Sequence, residues 1–203
     1  MMRTSLLVLL AGMALGAGCS DDREAPSSVR ISPTVSRVTG LYFDKDDRIG
    51  LTISRTSGDY VTNRLMTYDG SVFTASGLKW YESTQETSTL TAYYPYSEAG
   101  VPSAFSVEAD QRQGCTPSDL LGAVAREVRP GSAPVAMVFY HLMSQLSVVV
   151  ENNGSSPVAA VKIGGSVVEA VVDLAVPSAK AKAGAAAVQI EAFEAEPDSR
   201  YRA

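Results

Sequence analysis

Cys19 is the residue whose type and setting point most directly to chemistry. Its thiol closes a segment that begins with the basic Arg3, runs through an apolar stretch over residues 6–17, and narrows to Gly18. A positive start, a short apolar run and small residues before a cleavage point form an export signal. With a cysteine at that point, the chemistry is acylation of the sulfur and cleavage in front of Cys19. The stretch is shorter than the ~20 residues a membrane-crossing helix needs. Gly16 stands where such signals usually carry Leu, and Leu15 lies one step further back. The alternative is a plain secretory signal cut near Ala17, with Cys19 an ordinary residue.

The other reactive side chains are few. Cys115 is the second of two cysteines. Acylation of Cys19 leaves it unpaired; the rival is a Cys19–Cys115 disulfide. His141 is the one histidine, so a His-rich metal site is excluded. It lies in a β-prone run and reads as a structural histidine bonded to a neighbouring strand or turn. There is no Gly-x-Ser-x-Gly elbow, no phosphate-cradling Gly-rich loop and no His-Glu-x-x-His. No cofactor or metal is implied, and the chain is expected not to be an enzyme. Asp44, Asp46 and Asp47 offer oxygens for calcium, but lack the Gly and distal Glu of a calcium loop and read as a solvated turn. Tyr93, Tyr94 and Tyr96 offer an aromatic platform for a sugar. Their spacing on a strand predicts instead half-buried rings with hydroxyls at the edge.

These residues must be positioned by strands. Of 203 residues, 45% are hydrophobic and only 19% charged, with net charge -5. No basic cluster suggests nucleic acid. Sixteen Gly and ten Pro punctuate short β-prone runs. Ile49, Leu51 and Ile53 share one face at period two. Asp69-Gly70 between apolar runs predicts a two-residue hairpin turn of type I′. Pro33 is expected to end a first strand at Ser32. Residues 119–125 fit either a short helix capped by Ser118 or an extended segment. Two strands are predicted over 135–140 and 142–150, and a hairpin pairs 158–163 with 167–174 across Gly164-Gly165. About ten short strands argue for an all-β sandwich. The expected organisation is a signal over 1–18, a polar tether over 19–28, a β-domain over 29–176, and an Ala-rich linker or the start of a second domain over 177–203.

Several segments, taken in order, resemble the fimbrillin-like family of Bacteroides-type bacteria. They are Arg37-Val38-Thr39-Gly40, Asp47-Arg48-Ile49-Gly50-Leu51, the stretch from Asn63 through Asp69-Gly70 to Phe73, Trp80, Leu90-Thr91-Ala92-Tyr93-Tyr94-Pro95-Tyr96, Asp119-Leu120-Leu121, and Phe139-Tyr140-His141-Leu142-Met143-Ser144-Gln145-Leu146. Ser20-Asp21-Asp22 after the cysteine resembles the acidic surface-export signal of lipoproteins from such bacteria. The resemblance implies a transthyretin-like antiparallel β-sandwich, with a second domain that is missing or truncated here. It also implies a lipid-anchored outer-membrane, cell-surface protein that serves as a structural or adhesive fimbrial subunit. Subunits of that kind join by strand exchange after a protease cuts behind an arginine, which makes Arg37 and Arg30 the candidate processing sites. The expected partners are other fimbrial subunits by strand addition and the outer membrane through the lipid. The alternative function is a monomeric surface lipoprotein that binds glycan or host protein through its loops.

Overall fold

Ile49, Leu51 and Ile53 are all 0% exposed. Burying one such side chain stabilises by roughly 1.5–3 kcal/mol, and a one-residue slip would turn all three outward. That fixes the central strand of the fold. The computed structural model describes residues 26–36, 43–197 and 199–203. Among these the regular elements are strands, apart from a 3-10 turn at Thr116–Ser118. In chain order the first eight strands are β1 (Ser28–Val35), β2 (Arg48–Arg55), β3 (Gly58–Tyr68), β4 (Phe73–Lys79), β5 (Ser88–Tyr94), β6 (Ala104–Ser106), β7 (Leu121–Val128) and β8 (Val135–His141). Then follow β9 (Ser147–Val149), β10 (Lys162–Val167), β11 (Glu169–Asp173), β12 (Ser178–Ala181), β13 (Ala187–Glu191), β14 (Phe193–Glu196) and β15 (Arg200–Arg202).

Seven strands pair in the order β1-β4-β3-β2-β5-β7-β8, and β8 returns to β1 to close a barrel. The all-β expectation holds, but two stacked transthyretin-like sheets are not what the pairing draws. The ring closes because β1 lies parallel to β8, Ile31 opposite Val135 through Val35 opposite Phe139. Its other pairings are antiparallel. The inward faces meet in one core that includes Val29, Ile31, Leu51, Met66, Phe73 and Phe139. Phe43 packs edge-on against Phe73 and Phe139, with centroids 4.9 and 5.1 Å apart, a favoured aromatic geometry.

The remaining strands form three small sheets, β12-β11-β6, β10-β13 and β14-β15-β9. The β12-β11-β6 sheet docks on the barrel through a second cluster of Tyr93, Leu120, Val172 and Leu174. Gly122 of β7 permits the approach. A Cβ there would lie 3.0 Å from Leu142 and 3.2 Å from Leu174. Residues 178–202, where composition suggests a linker or a new unit, carry β12 to β15, which pair back onto β9, β10 and β11. Small side chains do not bar a strand where a ladder partner is on offer: Ser178 to Ala181 lie opposite Asp173 to Ala170, and Ala179 packs beside the Leu174 cluster.

Local expectations change for identifiable reasons. Pro33 does not end β1. The Ser36 N–H reaches Phe139 O at 2.8 Å, so alternation turns position 33 away from β8. There it faces the edge past the last β4 pair, Ile31 with Phe73, and no N–H is required of it. Asp69-Gly70 does join β3 to β4, but not as a two-residue type I′ turn. Asp69 Oδ1 accepts the N–H groups of Ser71 and Val72 at 2.8 and 2.9 Å, and Gly70 alone takes positive φ. The side chain builds a four-residue loop. These two bonds hold the Asp69 carboxyl below the usual range. Residues 121–128 take the extended alternative, because β5 and β8 flank them. The run over 142–150 shrinks to β9. The predicted hairpin across Gly164-Gly165 is absent: β10 pairs with β13, and β11 pairs with β12 and β6.

Candidate functional site

β1 is the element around which a site can be built. Val29 and Ile31 put their side chains into the barrel core at 0% exposure, while Pro33, Thr34 and Val35 are more open. The strand is stitched at both ends. The Trp80 N–H donates to Ser27 O at 2.9 Å, and the Ser36 N–H to Phe139 O. Side chains lace the same border: Ser27 Oγ donates to Gly131 O at 2.6 Å, and Arg30 Nη2 to Ser132 O at 2.5 Å. A bulge between Ser28 and Arg30 interrupts the pairing with β4. β1 therefore fills a slot one strand wide between β4 and β8. Without it, both neighbours would show open backbone edges, the feature that invites another strand.

The expected site residues distribute as follows. Arg30 lies inside β1, half-buried between two fully buried neighbours. Arg37 lies outside the described residues, two positions beyond the end of β1. Cys19 also lies outside them. Cys115 is a free thiol of intermediate burial. Burial pushes its pKa up, which opposes a role as nucleophile. His141 Nδ1 donates to Asp119 Oδ1 at 2.9 Å, so a strand-end histidine meets the acid that precedes β7.

The three acids near residue 45 form a turn. Asp47 Oδ2 accepts the Asp44 N–H at 2.8 Å, and Asp46 has φ 75°. No cluster of metal-binding side chains occurs among the described residues. The tyrosines form no platform. Tyr93 is 2% exposed, and its hydroxyl donates its one hydrogen to Asn63 Oδ1 at 2.7 Å, with Gly100 O at 3.1 Å and Ser97 O at 3.2 Å beside it. The Tyr94 hydroxyl donates to Asp47 Oδ1 at 3.1 Å.

Burial, reinforced by the nearby Asp47 charge, pushes the Tyr94 pKa from 10.0 up to about 12. The unfolded chain then ionises first. The folded state is fully favoured below about pH 10 and loses ground as the pH climbs to about 12. A Tyr94→Phe variant is expected to show a shallower fall in denaturant midpoint over that window. Midpoints measured at stepped alkaline pH check it; parallel falls in both proteins would refute it.

The fimbrillin-like family model matches residues 36–201. The chain belongs to the fimbrillin-like family. The match begins one residue after β1 ends. Among solved structures, a candidate cell adhesion protein from Bacteroides ovatus superposes with TM-score 0.68 at 21% identity, over 88% of this chain and 77% of that one. One from Bacteroides uniformis gives 0.64 at 20% identity, over 86% and 72%. A fimbrial protein from Bacteroides ovatus gives 0.55 at 16% identity, over 88% of this chain and 41% of its own. At these identities the likeness establishes a shared fold. No curated protein sequence matches. Membership of the fimbrillin-like family supports a fimbrial or adhesive role at the cell surface. The resemblance supplied the candidate cut sites and implied a groove, but not which strands wall it. Its two walls come from β4 and β8, far from β1 along the chain, and no local signal links them.

Proposed function

We propose that this fimbrillin-like protein is a lipid-anchored subunit of the outer cell surface that joins its neighbours by exchanging the strand in the β1 slot. The observation that carries the reading is the position of β1, which closes the barrel yet ends two residues before Arg37. A cut behind Arg37 would separate β1 from the body of the fold and leave it held by non-covalent contacts alone. Arg30 is the weaker candidate. Its neighbours are buried and its guanidinium is engaged, whereas proteases need an exposed, extendable segment.

Loss of β1 uncovers the sites of Val29 and Ile31, worth roughly 1.5–3 kcal/mol each, and opens two ladder edges. A neighbour's extended segment with apolar side chains at alternate positions regains both terms. Cys19 tethers the precursor until the cut, so processing takes place at the membrane surface. The barrel is then the exchanging unit, and the small sheets, built from β6 and β9 to β15, form a second unit docked on it.

The expected outcome in cells is a mature chain that begins at Val38, read by N-terminal sequencing. Arg37→Ala should retain β1 and abolish that product, while Arg30→Ala leaves it unchanged. Cys19→Ala should move the uncleaved precursor out of the membrane fraction. A surface-exposed wild-type chain that keeps β1 would overturn the processing step.

A further inference from the structure

Two pairs in the chain, Asp69-Gly70 and Asn153-Gly154, set an acid or amide side chain directly before a glycine. Such a pair closes a cyclic imide when the side-chain Cγ swings onto the next backbone nitrogen. Glycine carries no side chain to bar that approach. The fold treats the two pairs in opposite ways. Asp69 is held, because its Oδ1 accepts the N–H groups of Ser71 and Val72. Its carboxyl is also kept below the usual range, and a carboxylate is a poor target for an attacking nitrogen. Asn153 is a neutral amide and exposed. It lies in the stretch between β9, which ends at Val149, and β10, which begins at Lys162. Among the described residues nothing bonds to its side chain. Asn63, by contrast, is held on both sides: its Nδ2 donates to Ser97 O at 2.9 Å, and its Oδ1 accepts the Tyr93 hydroxyl.

We infer that Asn153 is a self-modification site, converting to aspartate and isoaspartate with water as the only co-reactant, at a rate that Asn152 restrains. The Gly154 nitrogen bonds to Asn153 Cγ while the Cγ–Nδ2 bond breaks. The proton of that nitrogen leaves with the amide as ammonia. Water then opens the imide. Opening at the side-chain carbonyl gives aspartate. Opening at the backbone carbonyl gives isoaspartate, whose main chain runs through Cγ. Nothing is oxidised or reduced. The restraint is visible in the turn. The Gly154 N–H donates to Asn152 Oδ1 at 2.9 Å, and Asn152 Nδ2 donates to Ser156 O at 2.8 Å. Asn152 thus clasps its own loop, as asparagine side chains do in turns. The bond to Gly154 must break before its nitrogen can attack. Conversion places a new negative charge beside the exposed Glu151.

The site is separate from the β1 slot, so either reading can fail alone. The full-length chain is incubated in mildly alkaline buffer, and the peptide holding Asn153 is followed by mass spectrometry. Isoaspartate is read by enzymatic carboxyl methylation. The expected result is a one-dalton gain at Asn153 with a methyl-accepting product, no gain at Asn63, and no isoaspartate at Asp69. Asn152→Ala should speed the gain about 2- to 12-fold, the worth of one ordinary hydrogen bond in a rate. Gly154→Val should suppress it by crowding the nitrogen. Gly154 lies outside the left-handed region, so valine meets no strain of that kind there. Both positions are exposed, so neither change disturbs a core. An Asn153 that stays unchanged while the urea-unfolded chain converts, or conversion that is as fast in Gly154→Val, would overturn the site. A rate in Asn152→Ala at or below that of the parent would overturn the restraint.

Discussion

Ile31→Asp is expected to unseat β1 and cost about 4 kcal/mol or more. The side chain is 0% exposed and faces the barrel core beside Phe73. The change deletes the apolar contacts, worth about 2–5 kcal/mol for truncation of a buried isoleucine. It also places a carboxylate where no cation is at hand, so the group must stay protonated or leave the core. Leaving is open to β1 because it is an end segment, paired to the barrel only through β4 and β8. Hydrogen exchange should therefore accelerate first along those two strands, ahead of β2 and β5. Thr34→Asp, on the exposed part of the same strand, should stay within about 0.5 kcal/mol of the parent. Equal effects from the two substitutions would mean that β1 is not seated as described.

The second large effect is expected at Gly50. A Cβ at this position would lie 2.3 Å from Tyr93 Cε1 and 2.7 Å from Asn63 Oδ1. Tyr93 lies directly opposite in the β2–β5 ladder, and its ring occupies the space a Cβ would take. Gly50→Ala must push the ring aside, and the contacts of its hydroxyl with Asn63, Ser97 and Gly100 go with it. Overpacking of this kind costs about 1–3 kcal/mol, and the stranded polar groups add about 1–3 kcal/mol more. For a chain of this size that is a melting temperature lower by roughly 4–24 °C. Tyr93→Phe should cost less, since only the hydroxyl bonds go. Combining the two should give less than the sum, because both act through one ring. Strict additivity would show that the clash is relieved elsewhere.

Much of the barrel was legible because its strands carry their own signals. Ile49, Leu51 and Ile53 alternate, and their register follows from burial alone. Asp69-Gly70 marked a turn, although the side chain of Asp69, not a pair of positive φ angles, shapes it. What stayed hidden rests on long-range pairing. Nothing near Val29 or Val135 announces that they belong to neighbouring strands, so ring closure could not be read. The same holds for residues 178–181, whose serine, lysine and two alanines make a strand only because β11 lies beside them. The resemblance residues Gly50, Asn63 and Tyr93 proved to be one interlocked cluster. By contrast Gln111 carried no signal and Ser118 was read only as a helix cap, and it is their burial that reveals them.

The central claim is that β1 is a replaceable occupant of its slot. Its most direct test is to nick the purified, folded protein with an arginine-specific protease and run it unboiled in detergent. The account predicts cleavage behind Arg37, then a ladder of polymers that collapses on boiling and is suppressed by excess free peptide of residues 28–35. A nicked protein that keeps its own β1 and stays monomeric, with or without the peptide, would contradict it.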